Sequence, residues 1–436
     1  MYVSFPLLLF FLDEGGYYNN STKIIYRIHL SFICVLQIIL RLCCRRCAML
    51  IQSPDRKSKL LIVYASYGEG HIQAAKALRD AYLEFGNHQV VMYDLMAESH
   101  PWLNEMTKRF YQKSYTHLPF LYGWMYGITK PMKHDSLLGS WLHSFGRQKV
   151  KQLLLQEKPN AVIYTFPFYA LQSLKKLSSI PSYAVITDFD LHRRWVHPSI
   201  DRYYVATKDL RHELQQLGIR SNAIKVSGLP LKKDFQSIKR SPELYERYRL
   251  QSNRATVLIM AGAQGVMPNI IQMCEQLLLH PDIQIALVCG HNIPLKQLVE
   301  ERFHSHPSSH RLITFGYMNR IHELMTLADG LVTKPGGLTL AEAIASELPT
   351  FIYRPVPGQE KQNALYLQSK GAAFIAKDID ALVEELLQLV NDPLQLLNSR
   401  MRIRSLQAKG SSHSAAETII MDIVTKSNVP NKVSVF

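Results

Sequence analysis

The sequence predicts an α/β protein built from two Rossmann-like domains that face each other across a cleft. Three stretches carry that expectation. The apolar run Lys59–Leu60–Leu61–Ile62–Val63–Tyr64–Ala65 passes through the glycine turn Ser66-Tyr-Gly-Glu-Gly-His71 into a helical pattern over Ile72–Phe85, with Ala74, Ala75 and Leu78 on one face. The same order of strand and glycine turn restarts at Thr256–Met260 with Ala261-Gly262-Ala-Gln-Gly265. It returns at Gly330–Glu342, where an apolar run ends in Thr333-Lys334-Pro335, two glycines follow, and Leu, Ala and Glu then recur at helical spacing. Strands that alternate with helices pair in parallel and are covered on both faces.

Bulk composition sets the outer limits. With 436 residues, 47% of them hydrophobic, the chain is long enough for two cores. Fifty Lys and Arg against 35 Asp and Glu give a net charge of +15, which suits an anionic partner: nucleic acid, acidic lipid or nucleotide phosphate. The basic residues are scattered among aromatics instead of forming a recognisable nucleic-acid motif, which argues against nucleic acid. Four of the six cysteines (Cys34, Cys43, Cys44, Cys47) lie near the start, and Cys274 and Cys289 sit in apolar contexts. That is no disulfide framework and fits a reducing cytosol.

Residues 1–58 stand apart. The apolar runs Val3–Leu12 and Leu30–Leu40 are both shorter than the roughly 20 residues a membrane-spanning helix needs, and the basic stretch Cys43-Cys-Arg-Arg-Cys47 follows the second. The segment reads as an anchor lying on a membrane, as a signal-like segment, or as an extension outside the functional protein with translation beginning at Met49. The last is the favoured expectation.

The first domain is expected over 59–229. Gln89–Tyr93 is its second strand, ending at Asp94. A dinucleotide-binding domain with Asp94 on the ribose is the rival reading. It is weakened by the missing third glycine and by the histidine that follows the second one. His71 heads the first helix, where the dipole keeps an imidazole neutral and able to take a proton; alternatively it only caps its own loop. Residues Ser99–Lys158 combine nine Lys/Arg against three Asp/Glu with Trp102, Trp124, Trp141, Tyr111, Tyr115, Tyr122 and Tyr126. Such a mixture suits an anionic bilayer interface, or a helical insertion with solvated charges. Strands Ala161–Thr165 and Ser182–Thr187 follow, the second leading into Asp188-Phe-Asp190-Leu-His192-Arg-Arg-Trp195. Asp188-x-Asp190 resembles a metal-binding carboxylate pair, but it lies far from the nucleotide motifs, and no metal is expected there. Tyr203–Ala206 is a strand, Leu210–Leu217 a helix, and the Gly228-Leu-Pro230 break ends the domain.

The second domain, 230–408, carries the ligand turns. Gln284–Val288 with Cys289-Gly290 and Arg311–Phe315 with Gly316-Tyr317 extend its sheet. Gly336 and Gly337 let the backbone pass close to a ligand, and the free N–H groups of the helix that begins near Leu338 suit an anion such as a diphosphate. Glu342, one turn in, is placed to accept from sugar hydroxyls. An ordinary glycine-capped turn looks the same in isolation. After the strand Leu348–Tyr353 comes Pro357-Gly-Gln359-Glu360-Lys-Gln-Asn363, where Gln359 and Asn363 share a helix face with Glu360 beside them. These three either cap a surface helix or form a fork for adjacent sugar hydroxyls. Two such turns side by side at strand ends read as a nucleotide-sugar site. Asp378–Asn391, Leu394–Gln407 and Ser414–Val424 are helical, the last, within the tail 409–436, returning to the first domain.

Thr333-Lys-Pro-Gly-Gly-Leu-Thr together with Pro357-Gly-Gln-Glu-Lys-Gln-Asn resembles the C-terminal half of the glycosyltransferases that make glycosyl diacylglycerols: the bacterial processive diacylglycerol glucosyltransferases and the plant monogalactosyldiacylglycerol synthases. More distantly it is similar to the lipid-linked N-acetylglucosaminyltransferase of peptidoglycan synthesis. The resemblance runs from about Lys59 to Ala408 and implies a two-domain GT-B fold. It implies His71 as general base, with Gly68 and Gly70 at the acceptor hydroxyl and Thr187, Asp188, Phe189, His192 and Trp195 in an acceptor-side loop. It implies Phe315, Tyr317 and Met318 at the uracil. Gly262, Lys334, Pro335, Gly336, Gly337 and Thr339 would lie at the phosphates, and Glu342, Gln359, Glu360 and Asn363 at hydroxyls. The activity it implies is inverting, metal-independent and free of any cofactor. Hexose, glucose by overall likeness, would pass from a UDP-sugar to diacylglycerol at the cytoplasmic, anionic face of the membrane. The alternatives are transfer of N-acetylglucosamine to a polyprenyl-linked precursor, and a non-catalytic UDP-sugar sensor at a membrane surface, against which His71 argues.

Overall fold

The computed structural model describes residues 58–66, 68–86, 88–99, 101–102, 104–106, 119–132, 136, 147–167, 180–236, 239–407 and 414–427. The expectations for 1–57, Tyr111, Tyr115, Trp141 and the side chain of Tyr122 lie outside the described residues. The first half runs β1 (Lys59–Tyr64), α1 (Glu69–Glu84), β2 (Gln89–Asp94), α2 (Leu95–Ser99), α3 (Pro119–Thr129), α4 (Arg147–Glu157), β3 (Ala161–Tyr164), β4 (Ser182–Val185), β5 (Arg202–Val205), α5 (Lys208–Gln216) and β6 (Ile224–Val226). The second runs α6 (Pro242–Arg247), β7 (Ala255–Met260), α7 (Ile270–Leu278), β8 (Ile283–Val288), α8 (Ile293–Phe303), β9 (Leu312–Phe315), α9 (Ile321–Leu327) and β10 (Gly330–Thr333). It continues with α10 (Gly337–Ala345), β11 (Thr350–Tyr353), α11 (Gln359–Ser369), β12 (Ala373–Ala376), α12 (Ile379–Asn391), α13 (Pro393–Ser405) and α14 (Ala415–Ser427).

Each half is a six-stranded parallel sheet, ordered β2-β1-β3-β4-β5-β6 and β12-β11-β10-β7-β8-β9. The strands read as unbroken apolar runs because both faces are covered. Leu61, Val63, Val162, Tyr164 and Ala184 face one core, and Leu60, Ile62, Ala161, Ile163 and Val185 the other. Asp94, the rival ribose acid, is buried and accepts from the N–H of Ala97, so it closes the start of α2.

The C-terminal helix α14 packs on α1, placing Ile419, Ile420 and Ile423 in the first half's core. Each buried isoleucine stabilises by about 1.5–3 kcal/mol. Asp422 adds ion pairs to Arg202 (2.6 Å) and Lys225 (3.3 Å) and accepts from the hydroxyl of Tyr204 (2.8 Å). In the opposite direction, Leu338, Leu340 and Ile344 of α10 and Ala364 and Leu367 of α11 join the core cluster under the first sheet.

In a doubly wound sheet the ligand site lies where strand order reverses, at the C-terminal ends of the strands. In the first sheet that point falls between β1 and β3, in the second between β7 and β10. His71 follows β1 at the first gap, and Lys334 follows β10 at the second.

Candidate active site

At the first reversal, α1 begins at Glu69, three residues earlier than the apolar pattern indicates, because Gly68 caps it in an extended conformation. His71 therefore lies inside the first helical turn. Its Nδ1 is 2.9 Å from the carbonyl of Thr165, just beyond β3, and 2.9 Å from the Thr187 hydroxyl beyond β4. A carbonyl only accepts, so Nδ1 carries the proton and donates, which leaves Nε2 as the basic nitrogen. Phe166 packs edge-on to the ring at 4.8 Å. Burial holds the imidazole below its ordinary pKa, while the Asp188 charge and the Thr165 bond pull it back up. The carboxyl of Asp188 is raised by burial, opposed by the charge of His71 and by hydrogen bonds from Gln359 and Asn363. Burial thus favours the neutral imidazole, and the Asp188 charge favours its protonated form.

At the second reversal the Lys334 side chain, following β10, crosses close over Gly262, following β7: its Cδ lies 3.9 Å from where a Cβ on that glycine would stand. Gly262 has φ +83, a conformation glycine adopts without strain. Burial lowers the Lys334 ammonium to about 8 and raises Glu342 to about 8, with Lys232 acting against the latter shift. Burial holds both groups away from their usual charge, a pattern that clusters at functional sites.

A cleft opens between the start of α1 and the second reversal, with His71 and Lys334 just outside its lining. It is lined by Glu69, Gly70 and Gln73 of α1, by Lys232 and Phe235 of the connecting segment, and by Gly262, Gly290, Tyr317, Met318, Leu338, Thr339 and Glu342 of the second half. The helix starts meet directly, since a Cβ on Gly70 would lie 3.7 Å from that of Leu338. Tyr317 stacks on His291 (4.2 Å, 10°), and its hydroxyl lies 3.2 Å from Gln73 Nε2 and 3.5 Å from Glu69 Oε1 across the cleft.

Several expectations are corrected by this arrangement. Phe315 does not line the cleft; it packs edge-on to Tyr248, against the core of the second half. Gly337 serves contact between the halves, because a Cβ there would collide with the Thr187 carbonyl oxygen and lie 2.8 Å from Asp188 Oδ1. Gln359 is half-buried and lies near Asp188, whose carboxylate it favours. Asn363 is 0% exposed and has no face left for a hydroxyl. On the acceptor side, Trp195 is 2% exposed within the first core and supports its loop from beneath. His192 accepts the N–H of Arg194 and meets Thr129 Oγ1 at 3.3 Å, and burial, then the charges of Arg194 and Lys130, push its pKa down to about 3. It braces the loop against α3 as a neutral ring. Asp190 binds Lys130 (2.7 Å) and Tyr126 (2.8 Å) of that segment, so Asp188 and Asp190 serve different partners. Pro335 is buried, and Gly336 caps α10 with its Cα open. Glu360 is half-buried and acts on Lys334.

Glu69, Gln73, Lys232 and His291 were missed by sequence reasoning. Glu69 and Gln73 carried a signal, being four apart on the first helix; His291 directly follows Cys289-Gly290. Lys232 lies in an irregular connector, with no periodicity to mark it.

Two six-stranded parallel sheets, with His71 at one reversal and Lys334 beside a helix start at the other, define a two-domain α/β architecture. Residues 71–231 match the family model for monogalactosyldiacylglycerol (MGDG) synthase, and residues 256–419 that for the glycosyltransferase family 28 C-terminal domain. A processive diacylglycerol beta-glucosyltransferase of Bacillus cytotoxicus is 38% identical over 377 residues, 86% of this chain and 95% of that protein. Its namesake in Bacillus cereus is 37% identical over 370 residues, 84% of this chain and 94% of that one. The chain belongs to the diacylglycerol glycosyltransferase family. Among solved structures, an S. aureus MnaA–UDP co-structure aligns with a TM-score of 0.54 at 15% identity, covering 86% of this chain and 98% of that one. Acinetobacter baumannii MurG aligns with 0.50 at 13%, covering 84% and 99%. These two likenesses concern the fold.

Proposed function

We propose that the protein transfers glucose from UDP-glucose to the primary hydroxyl of diacylglycerol, with inversion and without a metal or other cofactor. The observation that carries this is the pinned His71: Nδ1 is committed to Thr165, Nε2 is left basic, and the α10 start lies beside it. His71 Nε2 removes the hydroxyl proton as the lipid oxygen attacks C1. The bond from C1 to the β-phosphate oxygen breaks and UDP departs. Asp188 stabilises the imidazolium, and the α10 amides, the Gly262 turn and Lys334 meet the charge on the leaving diphosphate. One displacement inverts the anomeric centre. Asp188 and Asp190 are each committed to other partners, which supports the metal-free reading.

The acceptor is drawn from an anionic bilayer at the cytoplasmic face. Among the described residues no helix is long and apolar enough to cross a membrane. The helix α3 has no acidic residue in its first turn, and it exposes Trp124 (58%), Met125 and Ile128 (50%). Apolar and aromatic side chains of this kind lie well at a lipid interface. The test is turnover with diacylglycerol vesicles and UDP-glucose, UDP-galactose or UDP-N-acetylglucosamine. Glucosyl diacylglycerol formed in the presence of EDTA is the expected product; a preference for another sugar corrects the donor, and binding without turnover rejects the enzyme reading.

A further inference from the structure

Asn363 sits in the first turns of α11, in the second half, and uses its whole amide on protein partners. Its Oδ1 accepts the Phe189 N–H at 2.9 Å. Its Nδ2 donates to Asp188 Oδ1 at 3.2 Å and to the carbonyl of Pro335 at 3.2 Å. Phe189 and Asp188 belong to the first half, Pro335 to the second. Around this amide the two halves touch without a gap: Gly337 has no room for a Cβ against Thr187 and Asp188, and the Phe189 ring stacks on Tyr366 of α11 at 5.5 Å and 18°.

We propose that Asn363 is a positioning residue that couples closure of the two halves to the alignment of Asp188 beside His71. The inference rests on the reading of His71 as the base. With the halves together, the amide fixes one oxygen of Asp188 and the backbone of the loop that carries it, and the carboxylate supports the imidazolium. With the halves apart, Asp188 loses this donor and Phe189 its acceptor, so the base is complete only in the closed, water-poor cleft. A donor held in an open enzyme then meets no matured base.

A double-mutant cycle on turnover with UDP-glucose and diacylglycerol vesicles tests the coupling. Asn363→Ala is expected to lower kcat by about tenfold or more while the KM for UDP-glucose stays within about twofold. In an Asp188→Ala background the same substitution is expected to change kcat by less than about twofold, since the group it acts through is gone. If Asn363→Ala instead raises the donor KM with kcat intact, Asn363 contacts the sugar and the proposal falls. An equal loss in both backgrounds marks a general structural role and also overturns it. Should the alanine variant lack a cooperative melt, Asn363→Asp, which keeps the volume and the acceptor for Phe189, enters the same cycle. A His71→Ala arm with undiminished kcat refutes the base assignment itself, whatever the cycle returns.

Discussion

Lys334 and Glu342 are the two side chains on which the proposed donor site makes its sharpest prediction. Burial lowers one and raises the other to about 8, so a rise in pH through that value discharges the lysine and charges the glutamate. Both changes oppose a diphosphate. UDP affinity, measured by calorimetry, is therefore expected to fall by on the order of tenfold between pH 7 and 9.5, and Lys334→Met is expected to flatten that dependence. A flat profile in the unmodified protein removes Lys334 from the donor site. Asp188 makes a separate prediction. Its charge raises the pKa of His71, so Asp188→Asn is expected to move the acid limb of kcat to lower pH while the plateau falls. An unmoved limb separates the two residues functionally. His71, Lys334 and Glu342 stood out as candidates because each sits at a fixed offset from a glycine turn. Asn363 was legible as a polar residue on a helix face, but its partners are 174 and 175 positions away, so its direction was not.

Helix starts and the segments bracing them do the positioning. Strands and helices were readable from apolar runs and 3.6-residue spacing, with ends shifted by up to a few residues where caps decide them, as Gly68 does for α1. The role of α3 was only half readable. Its aromatic content pointed to a membrane, but nothing local revealed that Asp190 and His192 anchor it or that Gly123 packs against Pro357 ahead of α11. That contact ties the exposed helix to the loop preceding Gln359 and Asn363. Gly123→Ala, which forces a Cβ into Pro357, is expected to reduce turnover on vesicles severalfold with UDP affinity retained. Trp124→Glu is expected to weaken vesicle sedimentation while turnover on a detergent-dispersed acceptor persists. Unchanged sedimentation by Trp124→Glu moves the docking surface elsewhere.

Across the whole molecule, the two sheets differ in strand order, yet the helix starts at their reversal points meet, Gly70 against Leu338. The net charge of +15 favours an anionic surface, and vesicle binding is expected to weaken steeply from 0.1 to 1 M salt as the screening length shrinks from about 10 to 3 Å. Cross-cleft contacts such as Tyr317 with Glu69 and Gln73 could not be read from the sequence, because no local pattern records which turn will face which. The central claim is that donor grip and proton removal are divided between the halves. It is tested most directly by measuring UDP affinity and glucosyl transfer side by side for His71→Ala. The account predicts transfer lowered by about 100-fold or more with UDP affinity within about twofold of the unmodified protein. Transfer that survives, or an affinity that falls in step with it, contradicts the account.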